Sequence, residues 1–308
     1  MFSKDRIQIG ISSCLLGQQV RHNGGHKRNA YISETLSDWF TFLPFCPEVA
    51  IGLGVPRPTI RLQGVQAAPR AIMPAAAGRD VTDELAAYAR TTAQTYSFIS
   101  GYIFKAKSPS CGMERVKIFN EQGDLTGTGS GIYAVSMMRT LPLLPVEEEG
   151  RLNDPDLRDS FIERVYAYHR WQMMEMDGIT PAAMVAFHSE YKFLIMAHDQ
   201  DAMRQLGRLV AGISEDPERL SRQYLEILMA TLKKPATRKN RSNVLQHIAG
   251  FFKDSLDSAD RQELAQSIDA YRRDQLPLIA PLTLLRHHLR RNPDAYMEKQ
   301  RFPFNVHR

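Results

Sequence analysis

The hydrophobic pattern of this chain changes period near residue 150, and that change bounds the fold before any motif is read. Upstream, short β-like runs alternate with helical stretches. Segments 7–12, 42–45 and 102–107 read as strands, and 80–100 and 132–141 as helices, with Thr82 as N-cap of the first. Such alternation predicts a single α/β layer structure. Downstream, every periodic stretch is helical. Asn153-Asp154-Pro155 opens a helix that runs through Phe161, Val165, Tyr168 and Trp171 to about Met176, and Gly178 stops it. Thr180-Pro181 opens the next, and further helical patterns cover 201–213, 217–232, 238–256, 260–273 and 281–291. The stretch Leu141 to Gly150, with two prolines and three consecutive glutamates, reads as a linker, and the polar tail after Asn292 as irregular. The expectation is a two-domain chain: residues 1–145 an α/β domain, a Rossmann-like sheet with helices, and residues 151–308 an all-α helical domain.

Three cysteines fall in the first 111 residues and none in the remaining 197. Cys14 follows the apolar run Ile7 to Ile11 and precedes Gly17, which places it at a strand end, where α/β sheets set their ligand sites. Cys46 adjoins Pro47, and Cys111 lies between Pro109 and Gly112, all turn punctuation. A buried cysteine is often only a small hydrophobe, but core cysteines sit within apolar runs, not against prolines and glycines. The odd count and the absence of an export signal argue against a disulfide. Four thiolates would close a structural metal site; three hold a metal or a cubane cluster and leave one position open for chemistry.

A hydrophobic content of 43% and a charged content of 24% are ordinary for a globular protein. The polar N-terminus and the short, interrupted apolar run after it do not form a signal peptide or a membrane span, so a cytoplasmic protein without a membrane partner is expected. The net charge of +5 is compatible with nucleic acid without requiring it.

The motifs Ser13-Cys14-Leu15-Leu16-Gly17 with Val20-Arg21 and Gly24, Cys46-Pro47-Glu48-Val49 with Gly52 and Pro56-Arg57, Ser108-Pro109-Ser110-Cys111-Gly112, and Gly129-Ser130-Gly131 resemble the thiouracil desulfidase family over residues 7–142. The helical half resembles the YbgA-type domain, most clearly at Phe187-His188-Ser189-Glu190-Tyr191-Lys192 and Ala197-His198. The two-domain arrangement looks like the RudS-type desulfidases, which act on 4-thiouridine in tRNA. What the resemblance implies is a [4Fe-4S] cluster held by Cys14, Cys46 and Cys111, with one open iron that takes the thiocarbonyl sulfur. The implied reaction converts 4-thiouridine in tRNA to uridine with release of sulfide. The implied partners are tRNA and, transiently, the iron–sulfur assembly machinery. The resemblance assigns catalytic roles to Glu48, as proton carrier beside the cluster, and to Ser108, near the substrate. A solvated loop carboxylate or a helix cap is the plain alternative for Glu48, and a turn serine capping a backbone amide for Ser108.

Ser13, Arg21, Arg57, Gly129 and Gly131 are candidate substrate-binding residues. The two arginines follow motif positions and suit an anionic group. The glycines of Gly127 to Gly131 let backbone approach the cluster or a flat base, and the spacing is neither a P-loop nor a dinucleotide fingerprint. In the helical half, Lys233, Lys234, Arg238, Lys239 and Arg241 form one basic cluster and Arg286, Arg290 and Arg291 another. Either suits phosphates or is simply a solvated helix terminus. His188 and Lys192, one turn apart, read as a satisfied core histidine and a snorkelling lysine. Two rival functions stand beside the tRNA reading: a desulfidase of free thiouracil or thiouridine, and a non-catalytic metal-containing protein that binds RNA or regulates.

Overall fold

The computed structural model describes residues 6–302. Its strands are β1 (Ile7–Ser12), β2 (Phe40–Phe45), β3 (Arg61–Gln63), β4 (Arg70–Met73), β5 (Arg79–Asp80), β6 (Tyr102–Phe104), β7 (Val116–Phe119), β8 (Leu125–Gly129) and β9 (Val146–Glu148). Helices α1 (Pro47–Ala50), α2 (Thr82–Thr95) and α3 (Ile132–Thr140) lie among them. Then follow α4 (Pro155–Asp177), α5 (Pro181–His198), α6 (Gln200–Ala211), α7 (Pro217–Leu232), α8 (Arg238–Phe251), α9 (Ser258–Arg272), α10 (Ile279–Arg291) and α11 (Ala295–Lys299). The chain divides into two compact units, Met1–Phe161 and Ile162–Arg308.

The first unit contains an all-parallel sheet of order β2-β1-β6-β9. Five of the six β1 residues are buried, as befits a central parallel strand covered on both faces. Gly10 is required there, because a Cβ would stand 2.4 Å from the Tyr102 ring. The segment read as a linker carries β9, which pairs with β6 from Tyr102↔Val146 to Phe104↔Glu148. Charge misled the reading: Glu147 and Glu148 are buried because each accepts hydrogen bonds there, Glu147 from Arg151 and Glu148 from the Met113 amide.

A second sheet, of order β5-β4-β3-β7-β8, corrects the expectation of one layer. Its strands are short and mostly antiparallel, and the alternation is too brief to stand out in sequence. Leu62, Met73, Val116 and Ile118 form its core with Leu85 of α2 and Ile132 of α3. Thr82 does not cap α2. Val81 holds that position, and the Thr82 hydroxyl accepts the Ala71 amide of β4 at 2.8 Å instead. Gly127 to Gly129, read as loop, belong to edge strand β8.

The second unit is helical. Side-chain caps start its helices in the expected way: Thr180 accepts from the Ala183 amide, Asp199 from those of Asp201 and Ala202, and Thr237 from that of Asn240. Helix α5 is central and packs against α6, α7 and α8. Trp171, Phe187, Tyr191 and Tyr224 build an aromatic core, with Trp171 stacked on Tyr224 at 5.6 Å between ring centres. His188 is satisfied by the Tyr224 hydroxyl at 3.0 Å. The tail expected to be irregular forms α11, because Asp294 caps it, Met297 is fully buried, and Arg301 returns to Glu190. No described helix is long and apolar enough to cross a membrane.

Candidate active site

All three cysteines stand just beyond the carboxyl ends of adjacent parallel strands, the place where open α/β sheets bind ligands. Strand β1 ends at Ser12 and turns through a short 3₁₀ segment, Ser13–Leu16, that carries Cys14. Gly17 closes this turn in the left-handed region at φ 92°. Strand β2 ends at Phe45, so Cys46 becomes the N-cap residue of α1. Strand β6 ends at Phe104 and leads through a loop to Ser108 and Cys111. Lys107 takes a positive φ of 61° in that loop, strained for a lysine.

Cys14, Cys46 and Cys111 line one cavity of about 380 Å³ together with Ser12, Ser13, Glu48 and Ser108. All three are free thiols; Cys14 and Cys111 are buried and Cys46 is half-buried. Burial is the main cause that pushes the thiols up. Cys14 rises to about 11, against an opposing pull from Lys105, and Cys46 and Cys111 also rise. An uncompensated thiolate is therefore disfavoured at neutral pH, and a bound cation would reverse that. Among the described residues, no three histidine, cysteine or carboxylate side chains converge so as to hold a single metal ion.

The carboxylate of Glu48 projects from α1 into the same cavity. It is neither a solvated loop group nor a cap. Its Oε2 accepts from Arg57 Nε at 2.8 Å and its Oε1 from the Ser110 hydroxyl. The Arg57 side chain is 3% exposed and also donates to the Gly54 and Val20 carbonyls, at 2.8 and 2.9 Å. The anion that Arg57 meets is thus Glu48, so it orients the carboxylate and is not free for a substrate. Ser108 faces the cavity, and its Oγ accepts the Cys111 amide at 3.1 Å and the Ser110 amide at 3.3 Å. It therefore caps its own turn while lining the site.

Ser13 and Arg21 line the cavity, joined by His22, Lys27, Lys105 and Lys107, which sequence reading passed over. With Glu48 the sole carboxylate among the described residues that line it, the cavity is electropositive. Gly129 and Gly131 do not line it. Gly131 instead lets α3 start hard against the Cys111 loop: a Cβ there would lie 2.5 Å from the Ser110 carbonyl oxygen. Its amide donates to Gly112 O at 2.8 Å, and the Ala134 amide to Ser110 O at 3.1 Å. Two further residues missed in sequence are Glu148 and Glu149. Glu148 accepts the Met113 amide at 2.7 Å, just past Cys111. Glu149 accepts the Ala106 amide at 2.7 Å and pairs with Lys105.

The basic clusters of the helical unit are less uniform than their sequence. Arg241 of α8 is buried rather than presented to solvent. Arg238 is held by the Tyr271 carbonyl at 2.8 Å, by Asp274 at 2.7 Å and over the Tyr271 ring. Lys234 pairs with Asp199 at 3.1 Å. Lys233, Lys239, Arg286, Arg290 and Arg291 are exposed.

Residues 9–149 match the family model described as 2-thiouracil desulfurase, and residues 192–307 the model of a protein of unknown function, DUF1722. The chain is 37% identical over 146 residues to the uncharacterized protein YbgA of Escherichia coli K12, covering 47% of this chain and 86% of that protein. It is 30% identical over 158 residues to the uncharacterized protein YbbK of Bacillus subtilis 168, covering 47% of this chain and 98% of that one. A solved structure, the [4Fe-4S]-dependent thiouracil desulfidase TudS, is 30% identical over 49% of this chain and 95% of its own, with a TM-score of 0.37.

Proposed function

We propose, for a chain that belongs to the 2-thiouracil desulfurase family through residues 9–149 and carries a DUF1722, YbgA-type helical half, that it removes sulfur from 4-thiouridine in tRNA. The observation that carries this reading is that three free thiols, two buried and one half-buried, line one cavity with Glu48 and Ser108. A [4Fe-4S] cluster on Cys14, Cys46 and Cys111, with one iron lacking a protein ligand, would supply a soft Lewis acid for a thiocarbonyl sulfur.

The donor set fits such a group. The chain has three cysteines and no fourth to close the site. A single zinc needs its ligands around one point at about 2.3 Å, whereas a cubane spreads its thiolates over separate irons. Cys14, Cys46 and Cys111 lie on three separate strand-end turns around one cavity, which suits a group that spreads its thiolate ligands. The remaining work falls to the chain's own residues. Arg57 fixes Glu48 with its carboxylate toward the cavity, where it can take a proton from an attacking water. The cations Arg21, Lys27 and Lys107 on the wall favour an electron-rich base and the phosphates next to it. Exposed Lys233, Lys239, Arg286, Arg290 and Arg291 supply positive charge for the tRNA body.

The test is anaerobic reconstitution, followed by incubation with 4-thiouridine-containing tRNA and, separately, free 4-thiouracil. Nucleoside analysis should find uridine and sulfide in equal amounts from the tRNA. Conversion of the free base alone would shift the substrate to small molecules. Turnover of neither would leave a metal-containing protein without this activity.

A further inference from the structure

The hydroxyls behind the cavity wall have their directions fixed by what they already bind. The Ser110 hydroxyl donates to Glu48 Oε1. Its oxygen lies 3.1 Å from the Ser108 oxygen. Having given its proton to Glu48, Ser110 can only accept from Ser108. Ser108, in turn, uses its two lone pairs on the amides of Ser110 and Cys111, so its own proton is left for Ser110. The chain therefore runs one way: Ser108 to Ser110 to Glu48, anchored at the far oxygen by Arg57. Ser108 and Glu48 face the cavity; Ser110 does not, and it is fully buried.

We propose that Ser110 is a positioning residue that couples Ser108 to Glu48, so that the two cavity-facing groups act as one unit. Its place is set by the backbone. The Ala134 amide of α3 donates to the Ser110 carbonyl, and the backbone at Gly131 packs so close to that carbonyl that a Cβ would not fit. Without Ser110, Glu48 Oε1 loses its donor and the Ser108 proton loses its acceptor. Sequence reading assigned the two ends of this chain and passed over the middle, since a serine beside a cysteine carries no signal by itself.

This inference rests on the desulfidase reading, and its test separates the two. In the reconstituted chain, the Glu48 carboxylate band is identified by infrared difference against Glu48→Gln. Ser110→Ala should shift that band and lower kcat about ten- to hundredfold, the scale of one hydrogen bond to a charged group. KM should stay within about twofold, since Ser110 does not line the cavity and no contact with the substrate is removed. Ser108→Ala added to Ser110→Ala should cost nothing more. Ser110→Thr, which keeps the hydroxyl, should restore both band and rate. An unshifted band in cluster-loaded Ser110→Ala, or losses that multiply in the double variant, would overturn the coupling. If Ser110→Ala fails to fold or load, Ser108→Ala combined with Glu48→Gln decides: no further loss over Glu48→Gln supports the coupling, and a multiplied loss rejects it. A loaded wild type with no turnover sinks the desulfidase reading alone, because the infrared band still reports the hydrogen bond.

Discussion

Each oxygen of Glu48 is already committed, Oε2 to the guanidinium of Arg57 and Oε1 to Ser110. Placed by resemblance beside a negatively charged cluster, this carboxylate has in fact a buried cation at its back. The pairing lets a charged group persist on a wall where only part of its surface meets solvent. It also makes the function of Glu48 separable from its structural role. Glu48→Gln keeps the side-chain shape and an acceptor for Arg57 but removes the site that takes a proton. Cluster absorbance should persist while activity falls roughly 10²–10⁴-fold, the range of general acid–base catalysis. Turnover near the wild-type rate with full cluster content would make Glu48 structural. Ser108→Ala should be milder, because a hydroxyl that caps two amides is replaced without removing the base.

At the scale of elements, the site is a property of strand ends. Strands β1, β2 and β6 are neighbours, so the turns that follow them are brought together by sheet order alone. Those turns are held by close backbone contact, which gives a sharp contrast between two glycines. Gly131→Ala would put a Cβ 2.5 Å from a carbonyl oxygen that cannot yield, whereas a Cβ at Gly150 meets nothing within 4 Å. Gly131→Ala should therefore cost about 1–3 kcal/mol and weaken cluster retention, while Gly150→Ala should be neutral. Denaturant unfolding of the two variants checks this; equal stability would show that the Cys111 loop yields where backbone packing says it cannot.

The cysteine turns were legible in sequence because proline and glycine mark them, and β1 because isoleucines recur at every second position, Ile7, Ile9 and Ile11. The helices of the second half were legible from their period and caps, with ends off by a few residues. What escaped notice were interactions that only folding creates. Short strands β3, β4 and β7 carry too few residues to show a period. Glu148 of β9 and Glu149 just after it look like solvent-facing charge until the amides of the neighbouring loops are seen to need acceptors. Arg57 and Ser110 point at Glu48 from nine and 62 residues away, and no local pattern encodes that.

For the whole molecule, the question is what the helical half adds to the chemistry of the first. Docking a folded tRNA requires phosphate contacts, and extruding a base from it costs a few kcal/mol that such contacts offset. Buried Arg241 and engaged Arg238 are poor choices for that task. Replacing Lys233, Lys239, Arg286, Arg290 and Arg291 by glutamine should weaken tRNA binding and flatten its salt dependence. Activity on free 4-thiouracil should be nearly unchanged. An unaltered salt slope would move the docking surface elsewhere, and equal loss on both substrates would indicate a folding defect. All of this presupposes that the three strand-end thiols hold iron. The direct measurement is metal content per chain after anaerobic reconstitution, for the wild type and for Cys14→Ala, Cys46→Ala and Cys111→Ala. The account predicts about four iron per wild-type chain, as a [4Fe-4S] cluster requires, and loss or instability of that iron in each variant. Stoichiometric zinc with no iron uptake would contradict it.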